Sequence, residues 1–149
     1  GKRLKQGYST ALPVDAPVGA YALQATLDLG DGRQAVLLSG FEVLETLEVR
    51  MEPGDGPVRA GQERRVAVVV KNNSPRAQNG TVQLEGPVEL DGCFDRASSR
   101  FMVRPDGEAR VEFRLRPNRN TQAGEYELKA AVQSGSFQRT VSGKVLIGR

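Results

Sequence analysis

Alternation of apolar and polar side chains is the feature of this sequence that most constrains its fold. It runs through Leu47 to Glu52, Val111 to Arg116 and Tyr126 to Gln133. Successive side chains of a strand point to opposite faces, so each segment predicts a strand with one apolar and one charged face. Val66 to Val70 is apolar throughout, which predicts a central strand covered on both faces. The chain is therefore predicted to be all-β.

Turn-forming residues separate these segments at short intervals, as in Pro53-Gly54-Asp55-Gly56-Pro57 and Pro105-Asp106-Gly107. Each such cluster ends a strand after about eight to twelve residues. Seven or eight short antiparallel strands within about a hundred residues indicate a β-sandwich. The strands predicted from residue 46 onward are 46–52, 64–71, 80–85, 88–94, 100–104, 108–116, 124–133 and one near 136–147.

An internal repeat divides the chain into two parts. Gly19-Ala20-Tyr21-Ala22-Leu23-Gln24-Ala25 matches Gly124-Glu125-Tyr126-Glu127-Leu128-Lys129-Ala130 at a spacing of 105 residues. The alignment continues beyond the following turn if two residues are dropped from that turn. Ser39–Leu44 then aligns with Ser142–Ile147. A period of that length is the size of one β-sandwich domain.

The repeat predicts an immunoglobulin-like antiparallel β-sandwich preceded by a partial second sandwich module. Residues 46–149 form the complete sandwich, and residues 1–45 supply the C-terminal strands of the partial module, near 6–12, 19–29 and 34–44. The alternative is one larger sandwich in which a generic Gly-x-Tyr strand opening recurs by chance.

The first 45 residues carry an apolar face without the second sheet that a sandwich needs. Such a face must pack on something, and we expect self-association through residues 1–45. The residues predicted to form this face are Tyr21, Leu23, Ala25, Leu27, Val36, Leu38 and Val43.

The inventory of reactive side chains argues against an enzyme. The chain has no histidine and a single cysteine, Cys93, so it has no internal disulfide, no histidine–cysteine zinc site and no imidazole to activate the thiol. Asp91 and Asp95 flank Cys93, but Asp91-Gly92 reads as a turn and Cys93 as a small buried residue. The sequence therefore predicts no catalytic residue, and it leaves the redox compartment open.

Binding sites for metals, sugars and nucleic acids are also not predicted. Asp28-Leu29-Gly30-Asp31-Gly32 is the closest approach to a calcium loop, and a hairpin turn is the favoured interpretation. The chain has no Trp, and four of its aromatic residues fall in the inward phase of their strands, namely Tyr21, Phe101, Phe113 and Tyr126. This argues against sugar platforms and stacked bases. Asn79-Gly80-Thr81 fits a glycosylation acceptor, but a turn is favoured. We expect no cofactor and no metal ligand.

Charge and hydropathy argue against a nucleic-acid partner and against a membrane-spanning segment. The net charge is +3, and basic residues alternate with acidic ones along the chain, which indicates a solvated surface and no nucleic-acid partner. The longest apolar runs are far too short for a membrane span.

Arg104-Pro105-Asp106-Gly107 through Pro117, followed by Ala123-Gly124-Glu125-Tyr126, resembles the late strands of bacterial extracellular immunoglobulin-like modules of the NPCBM-associated type. Val58 through Val66, followed by Lys71-Asn72-Asn73, is similar to their early strand pair. The first segment, from Leu12 to Val43, is similar to macroglobulin-type sandwich domains.

These resemblances imply an extracellular, periplasmic or cell-envelope setting and carry over no catalytic residue. The expected function is that of a non-catalytic structural or protein-interaction module of a larger secreted or cell-envelope protein. Its partners would be another protein or the neighbouring domains of the parent. The alternative is an accessory carbohydrate-binding domain of a polysaccharide-active enzyme.

Overall fold

The computed structural model describes residues 11–12 and 16–149. The chain divides into two compact units, Gly1–Glu45 and Thr46–Arg149. Within the described residues, the structure has no helix long and apolar enough to cross a membrane.

The first unit contains one antiparallel hairpin, built from β1 (Gly19–Gly30) and β2 (Arg33–Val43). Asp31 and Gly32 form its turn with φ angles of 52° and 73°, the positive values that favour Asp-Gly in a two-residue hairpin. Asp28 Oδ1 accepts a hydrogen bond from the Gly30 amide at 2.9 Å. The hairpin turn predicted for Asp28 to Gly32 is confirmed. A further strand is predicted near 6–12. Residues 6–10 of this prediction lie outside the described residues, and Ala11 and Leu12 are not in a strand.

The second unit has two sheets. The smaller has three antiparallel strands in the order β3–β5–β8, and the larger has five in the order β4–β10–β9–β6–β7. The larger sheet is antiparallel except where the two residues of β4 run parallel to the end of β10. The strands are β3 (Leu47–Glu52), β4 (Pro57–Val58), β5 (Arg64–Asn72), β6 (Gln78–Glu85), β7 (Ser98–Val103), β8 (Glu108–Leu115), β9 (Gly124–Ser134) and β10 (Phe137–Ile147).

One apolar core lies between the two sheets. The three-stranded sheet contributes Val66, Val68 and Phe113, and the five-stranded sheet contributes Leu128 and Val82, each fully buried. Inward residues alternate with outward ones along β8 and β9, as the sequence periodicity requires. The prediction of an all-β immunoglobulin-like sandwich is confirmed. The central position of Val66 to Val70 is confirmed too, since β5 lies between β3 and β8.

The strand predicted at 88–94 is wrong. Val88–Leu90 forms a short 3-10 helix, and only Phe94 makes a single bridge, to Leu115. Leu90 is buried, whereas Val88, which a strand would place on the same face, is 74% exposed, so the strand interpretation was wrong for burial as well as for secondary structure. Gly92 has a φ of 74°, which ends any extended run there.

The turn predicted at Asn79-Gly80-Thr81 is also wrong, because these residues lie inside β6. Gly80 serves a close approach of strands: a Cβ atom there would lie 2.0 Å from the Gln133 carbonyl oxygen of β9. An isolated glycine in a strand can mark such an approach as well as a turn.

The extension of the repeat needs a one-residue correction. Gly19 pairs with Val43, and Gly124 pairs with Ile147, so the first hairpin is one residue longer than the second, not two. The extra residue is at Leu29, where the register of β1 and β2 shifts. Tyr21 and Leu23 therefore share a face with Phe41 and not with Leu38.

The corrected register changes the apolar face of the first hairpin. The face that includes Tyr21 carries the odd-numbered residues of both strands, and Val36 and Leu38, which we predicted there, lie on the opposite face. A slip of one residue moves a strand's whole side-chain set to the other face. The odd-numbered face consists of Tyr21, Leu23, Ala25, Leu27, Ala35, Leu37, Ser39, Phe41 and Val43.

Candidate interaction surfaces

The residues around the single cysteine have structural roles. Cys93 is 4% exposed, and its Sγ lies 3.6 Å from Thr121 Oγ1. Asp95 does not point at the thiol; its Oδ1 accepts a hydrogen bond from the Arg114 amide at 2.8 Å, and its own amide donates to the Arg114 carbonyl at 3.0 Å. The burial predicted for Cys93 is confirmed.

The segment around Cys93 covers part of an open sheet edge. β8 is the last strand of the three-stranded sheet, and an unpaired edge invites association with other strands. Besides the Asp95 contacts, the Arg116 amide donates to the Cys93 carbonyl at 2.8 Å, and Arg96 Nη2 donates to the Glu112 carbonyl at 2.7 Å. The second half of this edge is therefore already paired within the chain.

The outer face of the three-stranded sheet carries a network of ion pairs, which we call the charged ladder. Register places Arg50 and Arg110 on either side of Val69, and Glu52 and Glu112 on either side of Ala67. The ladder contains three arginines and three glutamates: Arg50, Arg65, Arg110, Glu52, Glu108 and Glu112.

Two of these ion pairs reach across the central strand. Arg50 Nη1 lies 3.4 Å from Glu108 Oε1, and Arg110 Nη1 pairs closely with Glu52 Oε2. The side chains of the ladder remain partly exposed, yet Ala67 and Val69 beneath them are only 0% and 2% exposed. The aliphatic stems of the arginines cover these apolar residues while their charged ends stay in water.

The ladder perturbs the titration of its own members. The hydrogen bond from Arg110 lowers the pKa of Glu52 below its ordinary value of 4.5, with Arg50 adding to the effect. The hydrogen bond to Glu108 raises the pKa of Arg50. Because the ladder contains three arginines and three glutamates, its charges balance. The ladder therefore does not present an electrostatic field of one sign.

Asn72 is a structurally important residue that was named from the sequence only as part of the segment Lys71-Asn72-Asn73. Its side chain is fully buried, and its Nδ2 donates to the carbonyls of Arg76, Val103 and Arg104 at 2.7, 3.3 and 3.2 Å. Its Oδ1 accepts from the amide and the hydroxyl of Ser74 at 2.9 and 2.7 Å. The signal for this role was the Asn-x-Ser spacing, which is typical of a side chain that closes a local turn.

The hairpin of the first unit presents exposed apolar side chains. On the odd-numbered face, Leu23 and Leu37 are 51% and 65% exposed. The rings of Tyr21 and Phe41 stack there with centroids 5.6 Å apart. An exposed apolar surface of this kind marks an interaction site more often than a scattered leucine does.

Both units carry the hydrogen bond known as a tyrosine corner. Tyr126 Oη donates to the Gln122 carbonyl at 2.9 Å, and Tyr21 Oη donates to the Pro17 carbonyl at 2.7 Å. This contact, at the start of a late strand, is typical of immunoglobulin-like sandwiches. The fold and the two tyrosine corners define the class as an immunoglobulin-like β-sandwich protein.

The family model for the NPCBM-associated, NEW3 domain of alpha-galactosidase matches residues 58–135, just over half of the chain. The chain belongs to this family, as the resemblance in its strands predicted. A search of curated proteins gave no significant match.

Solved structures confirm the fold. A FixG-related protein from Vibrio parahaemolyticus is 10% identical with a TM-score of 0.52, over 71% of this chain and 100% of that one. The native conformation of E. coli alpha-2-macroglobulin is 15% identical with a TM-score of 0.52, over 92% of this chain and 9% of that one. The macroglobulin similarity predicted from the first segment is thereby confirmed. This chain thus spans about a tenth of the macroglobulin.

Proposed function

We propose that this chain is a spacer or protein-interaction segment of a larger secreted or cell-envelope protein. The observation that carries the proposal is the charged ladder, because it leaves the outer face of the three-stranded sheet covered by paired charges and not by a binding platform. Family membership supports the accessory role, and the macroglobulin likeness, which covers 92% of the chain, supports an arrangement of successive sandwich modules.

The aromatic residues of the second unit support the same reading. Phe101 and Phe113 are buried in the core, and Phe94, Tyr126 and Phe137 pack against it. Sugar-binding faces need aromatic rings presented to solvent, and these five rings are used for packing instead.

The alternative function is carbohydrate binding by an accessory domain of a polysaccharide-active enzyme. The stacked pair of Tyr21 and Phe41 favours it, since Phe41 is 37% exposed, and the family model is named for a domain of alpha-galactosidase.

Affinity electrophoresis of the whole chain in gels containing soluble polysaccharides separates the two functions. We expect no retardation relative to a gel without polysaccharide. Retardation that Phe41→Ala removes and Val36→Ala leaves unchanged would contradict the spacer proposal and support the alternative.

A second experiment tests the spacer role in the parent polypeptide. Residues 46–149 are replaced by an unrelated β-sandwich of similar length, and secretion and activity of the parent are measured. We expect both to persist, because a spacer contributes length and stability and not a specific contact. Loss of activity in a protein that is still secreted and folded would show that the module makes a specific interaction.

A further inference from the structure

The hairpin of the first unit has the same internal geometry as β9 and β10 of the second. Gly19 and Gly124 open the two hairpins with φ angles of 156° and 158°, and each lies opposite the last strand residue of its partner, Val43 or Ile147. Two residues later each hairpin places a tyrosine whose hydroxyl bonds four residues back.

Equivalent apolar side chains of the two hairpins differ strongly in how much of their surface is exposed. Leu23 is 51% exposed, whereas its counterpart Leu128 is fully buried. Leu27 is 49% exposed and its counterpart Val132 is 1% exposed. The same contrast holds for Phe41, at 37%, and Val145, at 1%.

Two kinds of neighbour cover β9 and β10 in the second unit. The three-stranded sheet of β3, β5 and β8 lies against their inner face across the core, where Met51 of β3 packs against Gly143 of β10. β6 and β4 extend the sheet along their two edges. In the first unit, β1 and β2 form a sheet of two strands, and no further described strand pairs with either edge.

We propose that the odd-numbered face of the first hairpin is a docking surface for a three-stranded antiparallel sheet with an apolar inner face. The sheet is of the kind that β3, β5 and β8 form, and another part of the same polypeptide supplies it. β1 and β2 are then the closing strands of a sandwich module, independently of what the module does in the parent protein.

This occupant fits better than a second copy of the hairpin. Two hairpins placed face to face would cover the apolar side chains, but all four strand edges would stay open. A half-sandwich like that of the second unit covers the face and also pairs an edge of β1, as β6 does for β9.

A hairpin exchange tests the proposal. Residues 46–122 are joined directly to residues 18–45, so that the first hairpin replaces β9 and β10 and Gln122 takes the place of Pro17 before Tyr21. We expect a monomer with a cooperative urea transition. Leu23→Asp in this protein should abolish the transition, whereas Leu38→Asp, on the opposite face, should leave it in place.

A second version of the hairpin-exchange protein controls for side-chain size, because the larger side chains of the first hairpin could prevent folding by themselves. Leu27→Val, Leu37→Val and Phe41→Val restore the residues that the second unit has at these positions, namely Val132, Val141 and Val145. Absence of a cooperative transition in both versions, or equal tolerance of Leu23→Asp and Leu38→Asp, would overturn the inference. A transition found only in a dimer would overturn it too, in favour of a second copy.

Discussion

At the scale of single residues, Asn72 connects parts of the second unit that are far apart in sequence. Its amide group reaches the carbonyls of Val103 and Arg104, at the end of β7, and the loop after β5. The backbone N–H of Asn72 also donates a hydrogen bond to the Gly107 carbonyl at 2.9 Å. One buried side chain therefore satisfies backbone groups that would otherwise be shielded from water without partners.

Asn72→Ala should lower the free energy of unfolding by about 1–3 kcal/mol, because it leaves buried carbonyls without donors. Asn79→Ala, at an exposed position of β6, is the matched control and should change the value by less than about 0.5 kcal/mol. Urea denaturation of both variants measures the difference. Equal midpoints for the two would show that the Asn72 bonds add nothing to stability.

Cys93 should react slowly with an aromatic disulfide reagent in the folded protein and rapidly in denaturant, since its thiol is buried. Cys93→Ser should retain the fold and any interaction of the module. The rate of colour development at neutral pH checks the first expectation. Rapid labelling of the native protein would indicate an accessible thiol and reopen the question of its reactivity.

At the scale of elements, the charged ladder explains how a strand can be apolar on both faces at the surface of a domain. β5 is the central strand of a three-stranded sheet, and within the second unit the other sheet packs against its inner side only. The long side chains of β3 and β8 cover its outer side instead. Pairing of these charges holds their stems over Ala67 and Val69.

The ladder should make stability dependent on pH in acid. Its pairing lowers the pKa of Glu52 in the folded state, so the contribution of this carboxylate is complete above the ordinary pKa of 4.5 and is lost as the pH falls through the lower folded value. Glu52→Gln should therefore lower the urea midpoint at neutral pH, and its difference from the unmodified chain should shrink progressively as the pH falls below 4.5.

Glu85→Gln, at an exposed position of β6, is the control for this experiment. The urea midpoint of Glu85→Gln should equal that of the unmodified chain at every pH. High salt should shrink the effect of Glu52→Gln, because the ladder is exposed to solvent. A difference that persists unchanged below the pKa of Glu52 would mean that the substitution acts through packing and not through charge.

Much of this element structure could be predicted from the sequence, and the failures have local causes. Alternation located β3, β8 and β9, and the run of valines located β5, because a residue's face follows directly from strand geometry. The prediction for 88–94 failed because this short segment buries Leu90 and Cys93 at a spacing of three while Val88 stays exposed, which is the period of a 3-10 turn and not of a strand. The face of β2 was misassigned because a bulge at Leu29 leaves no mark in the local pattern.

The interaction surfaces could be predicted only in part. Alternation indicated that Arg50, Glu52 and Arg110 face solvent, but their pairing across β5 depends on the register between strands, which no local pattern specifies. The roles of Asn72 and Arg96 depend on loops brought together by the fold, so the sequence offered a turn signal for the first and none for the second.

At the scale of the whole molecule, the two units differ in how much of their apolar surface is covered. The second unit buries one contiguous core. The first exposes leucines on both faces of its hairpin, with Leu37 at 65% and Leu38 at 72%.

The 149-residue chain should self-associate when nothing else covers the odd-numbered face, whereas residues 46–149 should remain monomeric. Leu37→Asp should restore the monomer mass of 16.1 kDa, and Leu38→Asp, equally exposed on the opposite face, should not. Light scattering of the four proteins at matched concentration checks this. If the unmodified chain is a monomer, or if the two substitutions have equal effects, then the odd-numbered face is not the surface through which the chain self-associates.

The two-sided burial of β5 also matters before the domain has folded. Val66-Ala67-Val68-Val69-Val70 is a short, β-prone and uncharged run, the kind of segment that stacks into intermolecular cross-β assemblies when a nascent or denatured chain exposes it. Arg64, Arg65 and Lys71 flank it, and like charges on neighbouring chains repel each other at those positions. A strand that is buried on both faces in the native sandwich is thus also an aggregation-prone segment during synthesis and refolding, and its basic neighbours oppose that aggregation.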